Sequence, residues 1–275
     1  MRYLAPAKLN LFLHITGRRA DGFHDLETVF QLVDLFDELQ IDSRMDGRIV
    51  REPPPSDPVL AHLLDEQDLS WRAARLLQQA SATAMGANIH INKLIPSGGG
   101  LGGGSSDAAT VLLALNEQWG LSWSRQRLAD LGLQLGSDVP VFVHGHSAWA
   151  AGRGERLVPV DLPTHWYLIV DPGVAVKTAE IFADAQLTRD TPPSRIAAVP
   201  ADGGRNDCEQ VVRRRYPQVA KALDWLAVRA NARLTGTGAC LFAQCDSMES
   251  AQYMATQLPG QWKGLVVKGI NQAAI

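Results

Sequence analysis

Apolar and polar positions alternate from residue 5 to 14, which is the two-residue period of a half-buried strand. Ala7, Leu9, Leu11 and Leu13 fall on one face, and Lys8, Asn10, Phe12 and His14 on the other. Arg18-Arg19-Ala20-Asp21-Gly22 reads as a turn, and 27–35 as a returning strand. Glu52-Pro53-Pro54-Pro55-Ser56-Asp57-Pro58 suits neither a helix nor a central strand and predicts a surface loop. Over 68–85, Leu69, Ala73, Leu76, Leu77, Ala80 and Ala84 keep helical spacing, with Gly86 as the stop. Alternation returns at 88–93, predicting a strand, and a glycine-dense loop then leads to a helix over 107–119. A helix over 124–135 and a short strand over 139–143 follow. Gly152-Arg153-Gly154-Glu155 then marks a boundary between domains 1–152 and 153–275.

The second half opens on an apolar strand at 166–170. Pro192-Pro193, Pro200 and Gly203-Gly204 mark 190–205 as an exposed linker or mobile loop. Helices over 207–216 and 217–230, a strand at 240–244, a helix at 248–257 and a strand at 265–268 complete a β-α-α-β-α-β order. Strands and helices mix without the strict alternation of a doubly wound sheet, so the expected fold class is α+β.

Composition narrows the function classes. The 275 residues are 46% hydrophobic and 20% charged, as in ordinary soluble domains. A net charge of -3 argues against a dedicated nucleic-acid binder. No apolar run of about 18 residues occurs, so no membrane span is expected. The opening Met1-Arg2-Tyr3-Leu4-Ala5-Pro6-Ala7-Lys8 lacks the apolar core of a secretion signal. Cys208, Cys240 and Cys245 form no CxxC pair and read as buried, inert thiols in a reducing, cytoplasmic setting. His144-Gly145-His146 has no companion ligands at a familiar spacing, so no protein-held metal is expected.

The chemistry concentrates in Pro96-Ser97-Gly98-Gly99-Gly100-Leu101-Gly102-Gly103-Gly104-Ser105-Ser106, where six of the 24 glycines fall within eleven residues. Glycine clustering costs backbone entropy, and close approach of main-chain N–H groups to a phosphate at a helix N-terminus explains it. Ser105 and Ser106 add hydroxyls suited to a phosphate oxygen or Mg²⁺. No Lys follows the glycines, so this is not a Walker A loop. Gly98, Gly100 and Gly103 satisfy G-x-G-x-x-G, but no second strand ending in an acidic residue follows, which disfavours a dinucleotide fold.

Three segments resemble, in order, the three motifs of the GHMP small-molecule kinases: Ala5-Pro6-Ala7-Lys8-Leu9-Asn10-Leu11, the 96–106 loop, and Leu234-Thr235-Gly236-Thr237-Gly238-Ala239-Cys240. Four more segments resemble the branch that acts on a cytidine diphosphate-linked methylerythritol in non-mevalonate isoprenoid biosynthesis. They are Arg19-Ala20-Asp21-Gly22-Phe23-His24, Gly136-Ser137-Asp138-Val139-Pro140-Val141-Phe142, Pro172-Gly173-Val174 and Asn206-Asp207-Cys208-Glu209. The resemblance implies two domains with the active site in the cleft between them. It also implies ATP as co-substrate, carrying Mg²⁺, and phosphorylation of a tertiary 2-hydroxyl. The alternatives are a GHMP kinase for another small alcohol and a catalytically silent nucleotide or metabolite sensor. Lys8 and Asp138 together weigh against the sensor.

The same resemblance implies residue roles. Lys8 would lie near the acceptor hydroxyl, its charge favouring a developing alkoxide. Asp138 would be the general base, and Asn10 shares the strand face of Lys8. Phe23 and His24 would meet the cytosine by stacking and by hydrogen bonding, with Phe23 where Tyr is common. Thr178 and Phe182 fall at the spacing of substrate contacts. Asp68 stands where an adenine-side Asn is common, in a set of contacts that could include Lys93. The Gly236-Thr237-Gly238 turn is expected to support the active site.

Overall fold

The computed structural model describes residues 1–52, 64–194, 199 and 203–273. β1 (Arg2–Arg18) and β2 (His24–Arg44) pair antiparallel, from Arg2↔Gln40 to Arg18↔His24. Along its other edge β2 takes three partners in turn. These are β5 (Ala148–Gly152) beside 26–30, β10 (Lys263–Ile270) beside Leu32 and Val33, and β4 (Gly86–Asn92) beside 38–44. β3 (Ile49–Glu52) adds in parallel to β4, and β6 (Arg156–Pro159) adds to β5. β10 also pairs with β7 (Trp166–Asp171), which continues through β9 (Leu241–Cys245) to β8 (Ala232–Leu234). β10 therefore joins the two halves into one connected sheet.

The register of β1 shifts between Asn10 and Leu13, and a bulge moves the residues beyond it to the opposite face. Lys8 and Asn10 keep their common face. Phe12, expected beside them, is fully buried, and Leu13 lines the cleft instead.

Helices α1 (Leu69–Ser81), α2 (Gly103–Gln118), α3 (Arg125–Gly132) and α4 (Val139–His144) pack a first core against Leu39, Ile41 and Ile89 of the sheet. A second core joins Leu168, Val170 and Leu241 to α5 (Thr178–Phe182), α6 (Glu209–Arg215), α7 (Pro217–Ala227) and α8 (Met248–Thr256). Between them lies a third cluster of Ala7, Leu9, Val33, Ile169, Cys240 and Val267, drawn from both halves. Burial pushes the Cys208 thiol up to about 12 and raises those of Cys240 and Cys245, the chemistry of inert core cysteines.

The structure corrects several expectations. The 139–143 run is helix α4, not a strand. Five apolar residues are too few to display a period. Pro140 suits a first helical turn, where its missing N–H goes unused. Val139 to Val143 are all buried, packed by α2 and α3. The pattern gave no sign of α5, β5, β6 and β8, each of five residues or fewer. The described part of 190–205 is docked at several points rather than fully exposed. Thr191 N–H donates to Ile15 O at 3.1 Å, and Ser194 N–H to Glu27 Oε2 at 2.7 Å. Beyond Glu52, the expected 52–58 loop lies outside the described residues. The expected division at 152/153 falls at the turn of the β5–β6 hairpin, so 156–159 still pairs with the first half. No helix among the described residues is long and apolar enough to cross a membrane.

Candidate active site

A cleft of about 970 Å³ draws its walls from both halves. The glycine loop forms one wall. Gly98, Gly100 and Gly102 have φ of +71°, +78° and +76°, the left-handed region that favours glycine. These turns aim the loop carbonyls at protein donors. Gly99 O accepts Cys240 N–H at 3.0 Å, Leu101 O accepts Lys8 N–H at 3.0 Å, and Gly100 O accepts the Lys8 ammonium at 2.9 Å. With α2 starting at Gly103 and no side chain capping it, the first-turn amides remain available to an anion. Pro96 to Ser105 all line the cleft. Ser106, expected with them, is fully buried behind the loop, its hydroxyl unpartnered.

Lys8 and Asp138 meet beside this loop, Nζ to Oδ2 at 3.3 Å. The Lys8 side chain is only 3% exposed and also donates to Asn10 Oδ1 at 2.5 Å. Asn10 is itself fixed: its Nδ2 donates to Thr28 Oγ1 at 2.9 Å, and its N–H to Thr235 Oγ1 at 3.0 Å. Asp138 precedes α4 with φ −87° and ψ −12°, and its side chain makes no capping bond. Its carboxylate, 33% exposed, is left to face Lys8 and the cleft.

Phe23, His24, Thr178 and Phe182 line the cleft as well. His24 stacks on Phe182, centroids 5.2 Å apart and planes at 30°. Thr178 Oγ1 lies 2.8 Å from Thr237 Oγ1, tying α5 to the third motif. That motif is braced by Asn206, whose Nδ2 donates to Leu234 O and Gly236 O, and both Gly236 and Thr237 reach the cleft wall. Two arginines that sequence reasoning missed complete this group. The Arg153 guanidinium lies over the Phe23 ring at 3.7 Å, and Arg189 Nε donates to His24 Nε2 at 3.0 Å.

Burial, then the charges of Arg189 and Arg18, hold the His24 pKa below its ordinary 6.5. A neutral His24 therefore favours the folded state. That contribution is whole above pH 6.5 and is lost as the pH falls from there through the folded pKa. An NMR titration of the His24 ring should give a midpoint below 6.5, and a midpoint above it would contradict this environment.

Near α1 the cleft is acidic. Lys93 is buried between Asp37 and Asp107, the latter at 2.6 Å. Burial opposes the charge on Lys93, but the two carboxylates outweigh it and raise its pKa. Burial also raises Asp107, against the pull of Lys93, and leaves its Oδ1 unpartnered. Asp68 is committed to capping α1, accepting from Ser70 N–H at 2.8 Å and Trp71 N–H at 3.1 Å, with Arg51 at 3.5 Å. Asp37 and Asp107 also escaped sequence reasoning, because their partner Lys93 is 56 and 14 residues away.

The GHMP kinases N terminal domain description matches residues 68–146, and the GHMP kinases C terminal description matches 195–264. The chain is 53% identical to the 4-diphosphocytidyl-2-C-methyl-D-erythritol kinase of Alkalilimnicola ehrlichii, over 97% of this chain and 90% of that one. It is 52% identical to the enzyme of the same name from Nitrosococcus oceani, over 98% and 95%. A crystal structure of 4-(cytidine 5'-diphospho)-2C-methyl-D-erythritol kinase superposes with a TM-score of 0.82 at 30% identity, covering all of both chains. Methanococcus jannaschii mevalonate kinase shares the fold at a TM-score of 0.70 and 16% identity, over 98% of each chain.

Proposed function

The chain belongs to the GHMP kinases, in the 4-diphosphocytidyl-2-C-methyl-D-erythritol kinase family, and we propose that it phosphorylates the 2-hydroxyl of that compound from ATP. The products are the 2-phosphate and ADP, a step of non-mevalonate isoprenoid biosynthesis. The observation that carries this proposal is the Lys8–Asp138 pair, held beside the glycine loop in the cleft that Phe23, His24 and Phe182 also line.

Phosphoryl transfer asks for positioning, charge neutralisation and an acceptor for the hydroxyl proton. The loop amides and the first turn of α2 would hold the ATP phosphates. Asp138 would take the proton of the tertiary alcohol as its oxygen bonds to the γ-phosphorus and the bond to ADP breaks. Lys8, anchored to Gly100 O and Asn10 Oδ1, would stabilise the charge developing on that oxygen. Phe23 and Phe182 would offer ring faces to the cytosine, His24 a hydrogen bond, and Thr178 a hydroxyl toward the substrate.

Mg²⁺ would enter with ATP and offset its phosphate charge. The start of α2 offers oxygen donors of the type it prefers, the Ser105 hydroxyl and the unpartnered Asp107 Oδ1.

Steady-state ADP release over a panel of alcohols tests the substrate. The cytidine diphosphate-linked compound should exceed free methylerythritol and its 4-phosphate by about 100-fold or more in kcat/KM, the discrimination available when designed polar contacts go unmade. Equal turnover of the free polyol would refute the cytidine requirement.

A further inference from the structure

Arg189 belongs to no motif, yet it makes four hydrogen bonds at the edge of the cleft. Nε donates to His24 Nε2 at 3.0 Å, Nη1 to Leu187 O at 3.0 Å, and Nη2 to Phe182 O at 2.9 Å and Asp184 O at 2.7 Å. Its segment is itself tethered. The Asp184 carboxylate is gripped at 2.6 Å by both Arg214 and Arg215 of α6, which, with the Gln186 N–H, hold it well below the usual carboxylate range. One planar guanidinium thus spans the two stacked rings, holding the edge of His24 and the main chain of Phe182, across 165 residues of sequence from the histidine.

Guanidinium nitrogens only donate. Nε2 of His24 must therefore carry a lone pair, and the single proton of the neutral ring sits on Nδ1. No hydrogen bond is made by Nδ1 among the described residues, and His24 lines the cleft. We propose that Arg189 is a positioning residue: it locks His24 as the Nδ1–H tautomer and fixes its spacing from Phe182, so that the ring offers a donor to an acceptor edge of a pyrimidine. This rests on assigning these rings to the cytosine. Cytosine presents acceptors at N3 and O2, whereas uracil presents a donor at N3. A locked Nδ1–H donor directed at N3 would therefore favour cytidine over uridine nucleotides. Lysine cannot replace the arginine, because one ammonium cannot reproduce the planar fork.

Long-range ¹⁵N–¹H NMR of the His24 ring in the wild-type protein, with CDP, UDP and ATP affinities for wild type and Arg189→Lys, tests the proposal. Wild type should show the Nδ1–H tautomer and prefer CDP to UDP. Arg189→Lys should lose the fixed tautomer, weaken CDP binding by about 10-fold, as expected when one neutral hydrogen bond to the ligand is no longer held in place, and narrow the CDP/UDP preference. Its ATP affinity should be unchanged. A wild-type His24 protonated on Nε2 would overturn the proposal whatever the variant does. Wild type that binds CDP, with Arg189→Lys binding it equally well, would overturn the positioning role alone. Wild type with no affinity for CDP would overturn the cytosine assignment and the proposal with it.

Discussion

Asp138→Asn is expected to lower kcat by about 10²- to 10⁴-fold, the usual range for removing a general base, with ATP affinity and thermal midpoint kept. The local structure makes this a clean test. Asp138 makes no side-chain cap to α4 and is one-third exposed, so Asn forfeits no capping bond and buries no new polar group. What is lost is the capacity to take a proton, together with the negative charge that faces the Lys8 ammonium at 3.3 Å. Lys8→Ala should show a kinetic deficit of similar size, but with a stability cost of about 1–3 kcal/mol, because Asn10 Oδ1 and Gly100 O lose a buried donor. If the two residues act as one unit, the double variant should fall little below either single one. Normal turnover by Asp138→Asn would remove the proposed base.

Gly100→Ala should lower kcat/KM for ATP by about 100-fold or more through backbone effects alone. A Cβ there would lie 2.3 Å from Thr235 O and 3.1 Å from Gly238 O, at φ +78°. Both obstacles are main chain, so neither can swing away, and the loop must separate from the third motif. Because Gly100 O anchors the Lys8 ammonium, that movement also releases the lysine from its place beside Asp138. Gly120→Ala is the control: its φ is +66°, with no atom within 4 Å of the new Cβ, so it carries backbone strain without a clash. It should fold with a modest loss of stability and near-normal kinetics. Calorimetric ATP affinity of both variants separates the cases, and unchanged affinity in Gly100→Ala would contradict the phosphate-loop assignment.

Sequence patterns revealed what is local. The strand carrying Lys8 and Asn10, the helices Leu69–Ser81 and Gly103–Gln118 to within four residues at their ends, and the glycine loop all follow from spacing and composition within a dozen or so neighbours. Short elements did not show. α4 resembled a strand because five apolar residues fit either period, and α5 is only five residues long although it carries Thr178 and Phe182. The bulge after Asn10 was equally hidden, since alternation in the sequence says nothing about an extra residue in the ladder. The least legible features are the side-chain networks. Arg189 reaches His24, Lys93 reaches Asp37, and Gly100 rests on Thr235 only once the sheet has brought distant segments together. These contacts set tautomer, charge and loop shape, and none has a signature in the one-dimensional pattern.

Proton-coupled ³¹P NMR of the product formed from ATP and the cytidine diphosphate-linked methylerythritol tests the central claim most directly. Carbon 2 of the acceptor bears a methyl group and no hydrogen, whereas carbons 1 and 3 carry hydrogens. Phosphate placed on the 2-hydroxyl beside Asp138 and Lys8 should give a new monoester resonance without three-bond coupling to hydrogen, appearing in step with ADP. A doublet or triplet would put the phosphate on a neighbouring hydroxyl, and ADP released without any new monoester would mean that water, not the alcohol, receives the phosphoryl group. Either result would contradict the account.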